Sequence, residues 1–411
     1  MKKTLLKVAV LTAFLSVLLT GCPGGTGNSG GNNPFGGNNG NDNVSEDTDN
    51  PISGTLTGDT ETWAGKDAEG NPITYYIKKN NTYTIKDGGM LVIEEGAIVK
   101  LGAGAGITVG VGGTLEATGV IFTSAKDTRG RKINSAGQDA PKPADWENVY
   151  INGGYATLTN CEVSYGGSGC SAVNVNKSGS SFGRCKIDGC KFTYNSGTNS
   201  VSSTVQAAVK YDYTLTYGSD NTVTNTTFEN NVWPISLPVT FSVSGTNHFG
   251  TGDKANKFNL IHMFYDNITG DVELKHTEVP YLFATGNSLD IGFNSKSGTL
   301  TIEGGTEDDP TVVQFYKQGF HIIKNTGTLN LGNYIHFTNC NYTSNTKYNG
   351  ISCHMTDVPY VNSNGNNASY TGYVLLLSND EIHVTIDGYD VGTSYSKDYM
   401  RQPIQSSNVG N

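Results

Sequence analysis

The sequence predicts an all-β chain whose short strands coil and stack on one another as a solenoid, and three observations lead there. Between Gly88 and Gly167 the chain is a succession of glycine-bounded segments: Leu91-Val-Ile93, Ile107-Thr-Val109, Leu115-Glu-Ala117 and Val120-Ile-Phe122. Each alternates apolar and other residues with period two, the pattern of a strand with one buried face, and no 3.6-residue periodicity runs through them. The second observation is internal repetition. The third is composition: 411 residues with 53 Gly, 22 Tyr and only 16% charged residues, a turn-rich balance unlike that of a helical bundle. A β-sandwich array is the alternative architecture.

In chain order, residues 1–21 read as a signal peptide. Met1-Lys2-Lys3 is a basic start, and the apolar run Leu5 to Leu19 is short for a membrane span. Leu19-Thr20-Gly21-Cys22 resembles the lipobox of bacterial lipoproteins. That resemblance implies cleavage before Cys22 and acylation at this cysteine. Two attached chains or more anchor stably where one is marginal. Pro23 follows, where an Asp would favour inner-membrane retention in enteric bacteria, so the expected address is the cell envelope at the outer membrane. Residues 22–61 are expected to form a Gly/Asn/Ser-rich tether without a core, reaching roughly 30–35 Å as a random coil. The domain proper is expected over 62–411, with 62–80 (Trp63, Tyr75, Tyr76) covering its first edge and 373–391 adding final strands or a cap.

The repeat has two scales. Gly89-Met-Leu91-Val-Ile93 returns as Gly298-Thr-Leu300-Thr-Ile302, Gly106-Ile107 as Gly319-Phe320, Gly113-Thr-Leu115 as Gly327-Thr-Leu329, and Val120-Ile-Phe122-Thr123 as Ile335-His-Phe337-Thr338. Trp146-Glu-Asn-Val149 has a looser echo in Tyr348-Asn-Gly-Ile351. This order predicts duplicated halves at about 82–253 and 271–396. A four-residue motif threads both: Asn160-Cys-Glu-Val163, Gly189-Cys-Lys-Phe192, Asn225-Thr-Thr-Phe228 and Asn339-Cys-Asn-Tyr342. Its first position takes residues that tolerate the left-handed conformation of a corner, and its asparagines are expected to ladder between coils. Its third position faces outward and sets Glu162 beside Lys191 as an expected ion pair.

These residues resemble the right-handed parallel β-helix, or pectin-lyase-like, proteins, in particular bacterial surface proteins. The resemblance rests on the Leu-x-Ile-Glu turn before Gly-Gly-Thr-Leu115, the strand Asp145-Trp146-Glu-Asn-Val149-Tyr-Ile151, the Asn-Cys-x-Val motif, and Thr227-Phe228-Glu-Asn-Asn230-Val-Trp-Pro234-Ile235. It covers roughly residues 75 to 360. It implies a right-handed single-stranded parallel β-helix, with coils about 4.8 Å apart and about ten to fourteen of them. Fold resemblance alone does not imply an activity.

Chemistry is sparse. Apart from Cys22, the cysteines are Cys161, Cys170, Cys185, Cys190, Cys340 and Cys353, an even number in an exported chain. The pairings Cys161–Cys190, Cys170–Cys185 and Cys340–Cys353 stand against the alternative of stacked thiols serving as small apolar residues. No Cys-x-x-Cys spacing suggests zinc, and neither metal nor cofactor is expected. Pectin-processing enzymes cluster carboxylates on one outer face with an Arg or Lys nearby, and their Asp-Asp, Gly-His-Gly and Arg-x-Lys patterns do not occur here. The one basic element is Lys126-Asp-Thr-Arg129-Gly-Arg131-Lys132, which reads as a groove wall for an acidic glycan or as a solvated loop. The tyrosines Tyr150, Tyr155, Tyr165, Tyr194, Tyr211, Tyr213 and Tyr217, some within the insertion 195–221, read as sugar-stacking groups or as ordinary strand residues.

The formal net charge is −10 and the arginines number four, too few to neutralise a phosphate backbone, so nucleic acid is not an expected partner. The expectation is a monomeric, membrane-anchored, non-catalytic β-helix binding a glycan or a protein. A polysaccharide lyase or hydrolase acting on acidic glycans is the alternative.

Overall fold

Strands of three to five residues cannot enclose a core singly, so each coil must bury its apolar face against its own other strands and against the next coil. The computed structural model describes residues 51–130, 140–212, 215, 218, 220–264, 267–284, 289–306, 308–315, 320–322, 327–332, 334–339, 384–386 and 389–390. It is a parallel β-helix. Three sheets run along it: sheet A with eight strands, from Pro51–Ile52 to His248–Phe249; sheet B with thirteen, from Gly54–Thr57 to Tyr389–Asp390; and sheet C with six, from Thr60–Trp63 to Thr222–Thr224. Each of the first six coils contributes one strand to each sheet, in the order A, B, C.

Registry explains the alternation read from the sequence. In sheet C, Leu91, Leu115, Ala156 and Cys185 lie opposite one another on successive coils, as do Ile93, Ala117, Leu158 and Ile187. All are buried. Burying such an aliphatic side chain stabilises by roughly 1.5–3 kcal/mol, so the stack is the main favourable term. In sheet A, Phe192, Phe228 and Phe249 stack at 5.3 and 5.5 Å. The corner expectation holds: Asn160, Gly189 and Asn225 have φ of 52°, 65° and 51° on three consecutive coils.

Four details differ from expectation. The first coil begins at Pro51, inside the expected tether, with Pro51–Ile52 paired to Tyr76–Ile77 and Gly54–Thr57 to Tyr83–Lys86. An edge coil faces water on one side and has few apolar residues, so it reads as linker. Residues 62–80 therefore form coils rather than a cover, and Trp63 stacks on Tyr75 with ring centroids 4.9 Å apart. The copies of the long repeat share a sheet only in part. Beyond Ile261 the cross-section is rebuilt: sheet B continues, while Leu289–Ile291 and Gly298–Ile302 belong to two new three-stranded sheets. The strand Ile121–Ser124 lies in sheet A and its sequence echo Ile335–Asn339 in sheet B. Finally, Glu162 and Lys191 are register neighbours, but Glu162 meets Arg129 at 2.8 Å and Lys191 meets Glu229 at 3.1 Å.

At the far end, Val384–Ile386 pairs with Ile335–Phe337 in parallel and with Tyr389–Asp390 antiparallel, so the last described pairing reverses direction. Tyr348–Ile351 and Val374–Leu377 lie outside the described residues. The expected insertion 195–221 is interrupted by the strand Val209–Tyr211. Its first part lies over the outer face of sheet B, where Trp233 donates its indole N–H to the Thr198 carbonyl. A second apolar cluster of Val201, Val205, Trp233, Phe258, Leu260 and Leu282 fills the space beneath.

Candidate functional site

The site is built by three consecutive strands of sheet A: Glu162–Ser164, Lys191–Thr193 and Thr227–Glu229. Each ends in a left-handed corner residue: Tyr165 (φ 65°), Tyr194 (φ 56°) and Asn230 (φ 57°). A tyrosine in this conformation is strained by roughly 1–2 kcal/mol, a penalty that Asn and Gly largely escape. Here two tyrosines occupy it in neighbouring coils, with rings parallel to within 7° and centroids 5.6 Å apart. Tyr194 is 43% exposed, one of the few large aromatic side chains so displayed.

What over-determines this strained corner is a buried asparagine ladder one residue further on. Gly166 N–H donates to Asn195 Oδ1, Asn195 N–H to Asn231 Oδ1, and Asn231 N–H to Asn256 Oδ1. The Nδ2 groups of Asn195, Asn231 and Asn256 donate to the carbonyls of Val163, Phe192 and Phe228. The Gly166, Asn195 and Asn231 N–H groups freed by the turn are thereby satisfied from the next coil. The ladder was expected at the first position of the four-residue motif, which supplies the left-handed turn and, at Asn225, a bond from Nδ2 to Asp188 of the preceding coil. It occupies the sixth residue beyond (Gly166, Asn195 and Asn231), a spacing that is legible once the motif has been aligned. Gly166 also makes room for Trp146, since a Cβ there would lie 2.7 Å from the indole, whose N–H reaches the Ser164 carbonyl.

The described part of the basic loop, 126–130, closes one side of the site as a strap lying across sheet A. Asp127, 5% exposed, accepts from Thr123 Oγ1 at 2.7 Å, and Lys100 Nζ donates to its carbonyl. Arg129 bridges Asp127 at 2.6 Å and Glu162 at 2.8 Å, and Lys126 pairs with Asp145 at 3.4 Å. Burial by itself would raise the Asp127 carboxyl, but the Arg129 side chain and backbone N–H and the Thr123 hydroxyl outweigh it and hold it below its ordinary range. Arg129 is thus engaged by two carboxylates. Arg131 and Lys132 lie outside the described residues.

Across the corner, Glu229 sits between Lys191 at 3.1 Å and Lys254 at 3.5 Å. Burial favours its neutral form, yet the two ammonium groups prevail and its carboxyl is shifted down. The Tyr165 phenol is shifted up by burial first and by Asp127 next, so it stays a neutral ring.

The remaining tyrosines are placed differently. Tyr211 is wholly buried and donates to the Cys185 carbonyl; Tyr155 lies under the Arg184 guanidinium; Tyr150 hydroxyl receives Asn176 Nδ2 at 3.3 Å. Tyr213 and Tyr217 lie outside the described residues, as do Cys22, Cys340 and Cys353. The four described cysteines are buried free thiols. Cys161 and Cys190 are stacked, with Cys161 N–H donating to Cys190 Sγ at 3.4 Å. Cys170 lies at the entry to sheet B with its thiol on the Glu147 carbonyl, whereas Cys185 faces inward in sheet C, so these two belong to different walls of the coil. Burial pushes the Cys185 thiol up to about 12.

His262 is buried on sheet B, accepting from Ser236 at Nδ1 and donating from Nε2 to the Ser202 carbonyl. Desolvation lowers its pKa to about 3, so it is a neutral strut holding the insertion. A polar groove of about 370 Å³ lies among Ser242, Ser244, Thr246, Glu273, Lys275 and Glu303, with Glu273 already paired to Lys275 at 2.6 Å. No group of three or more metal-ligating side chains occurs among the described residues. Nor is any described helix long and apolar enough to cross a membrane. Compared with known proteins, the chain matches no family model, no curated protein and no solved structure.

Proposed function

We propose that this is a lipid-anchored cell-envelope protein whose β-helix is a non-catalytic binding module, holding a glycan at the Tyr165–Tyr194 corner. The observation that carries the reading is two tyrosines kept in a conformation that asparagine adopts more cheaply, at positions where the third coil does use asparagine (Asn230). Local strain of this kind gathers at functional positions. Exposed aromatic rings on a rigid β-face suit the apolar face of a sugar. The anchor is argued from the sequence: the apolar leader, Leu19-Thr20-Gly21-Cys22, and a polar tether that separates the solenoid from the outer membrane.

Two measurements test it. The purified body and its Tyr194→Asn variant are applied to a glycan array; Asn suits the left-handed corner, so the variant keeps the backbone while removing the ring. Binding by the parent that the variant loses is the expected result, and no binding by either refutes the glycan reading. Cys22→Ala is expected to move the protein from the membrane to the soluble fraction and to abolish acyl labelling. Unchanged fractionation refutes the anchor.

A further inference from the structure

We infer that the ligand at this corner is an uncharged hexose unit, one per molecule, seated on the face of Tyr194 that looks toward Asn230. This deepens the glycan reading and rests on it. The first argument is geometric. One face of Tyr194 is taken by Tyr165, whose ring is parallel to it at 5.6 Å. Thr193 lies opposite Glu229, so the residue stacked beyond Tyr194 on the next coil is Asn230, which has no ring to cover the second face. Tyr165 itself is half-buried between Tyr194 and the strap carrying Asp127 and Arg129. One open aromatic face admits one sugar ring.

The second argument is electrostatic. Three cations and three carboxylates border the rings, and every one is in an ion pair: Arg129 with Asp127 and Glu162, and Lys191 and Lys254 with Glu229. These described groups sum to zero charge. A uronic acid or sulfated sugar would find no unshared cation among these groups and would have to break a pair to gain one. Sugar hydroxyls, which both donate and accept, can join the pairs without separating them: a hydroxyl can donate to Glu229 while accepting from Lys191 or Lys254.

The test is titration calorimetry of the full folded body with neutral gluco-, galacto- and manno-oligosaccharides and, in parallel, with polygalacturonate and hyaluronate. The expected result is binding to a neutral oligosaccharide at one site per molecule, changing less than twofold between about 0.05 and 0.5 M salt, because no net charge is screened. Tyr194→Asn should weaken it about tenfold, the loss expected for one aromatic stack, with an unchanged melting temperature. Glu229→Gln should weaken it by less, since the amide still accepts. Salt-sensitive binding to the acidic polymers that still depends on Tyr194 overturns this inference and leaves the glycan site standing. Binding that Tyr194→Asn leaves intact overturns both.

Discussion

Replacing Asn231 by Ala tests the device that holds the tyrosine corner. The Asn231 side chain makes four hydrogen bonds: it accepts from the backbone N–H and Nδ2 of Asn195, both at 3.0 Å, and donates to the Phe192 carbonyl at 3.0 Å and to Asn256 Oδ1 at 2.9 Å. It is only 2% exposed, so water cannot replace what is removed. In the variant, Asn195 Nδ2 keeps its bond to the Val163 carbonyl, and Asn256 Oδ1 keeps the Asn231 backbone N–H. The Asn195 N–H loses its partner, while the Phe192 carbonyl loses one donor and keeps its ladder bond within sheet A. One buried backbone N–H orphaned at about 1–3 kcal/mol, with about 1 kcal/mol for the second bond lost at the Phe192 carbonyl, gives an expected loss of about 3 kcal/mol. That is a large part of the stability of an ordinary domain. Urea unfolding followed by near-UV circular dichroism should show the midpoint falling at constant slope, while Asn199→Ala, at an exposed contact with Lys257, should stay within about 0.5 kcal/mol. A loss below about 1 kcal/mol at Asn231 would show that the ladder does not carry the corner. The account of why two strained tyrosines persist would then fail with it.

Tyr194→Asn should leave stability within about 1 kcal/mol of the parent, because relief of left-handed strain offsets the lost ring stack of this exposed side chain; a loss above about 3 kcal/mol in thermal unfolding refutes the strain argument. Asp127 has a depressed folded-state pKa, so the stability it contributes is present above its unfolded value near 3.8 and is lost as pH falls through the lower folded value. Acid titration of the strap, read as protease sensitivity near Arg129, should therefore show loosening below about pH 4 that Asp127→Asn abolishes. His262 is also depressed, to about 3, so its neutral form stabilises fully above about pH 6.5. Stability should fall by up to about 1.4 kcal/mol per pH unit as pH drops from there towards 3, and His262→Gln should flatten that slope in urea midpoints measured at several pH values. Iodoacetamide should leave Cys185 unlabelled in the native protein, since its thiol is fully buried and its pKa pushed up to about 12; rapid native labelling contradicts that packing.

By itself the sequence determined the class of fold, and the envelope address proposed above rests on its leader and Leu19-Thr20-Gly21-Cys22 alone. Period-two apolar residues between glycines leave a chain no option but to stack, and the corner motif at Asn160, Gly189 and Asn225 was legible because only a few residue types accept a positive φ. Much of the candidate site is present in the sequence as unassembled parts: Tyr165, Tyr194, Arg129 and Glu162 stand out there, but the partners they take do not. Which partner each takes depends on coil register, and register depends on insertion lengths that a single chain does not display. The strap shows this most clearly. Arg129 lies 33 residues from Glu162 in sequence, yet Ile121–Ser124 and Glu162–Ser164 are neighbours in sheet A, which brings the two together and engages the described part of the basic loop in ion pairs. The rebuilt cross-section beyond Ile261 has the same origin, since similar motifs enter different sheets when their flanking lengths differ. Local pattern fixes which face of a strand is buried; only tertiary packing decides which side chains meet on the other face, and there the tyrosine corner was made.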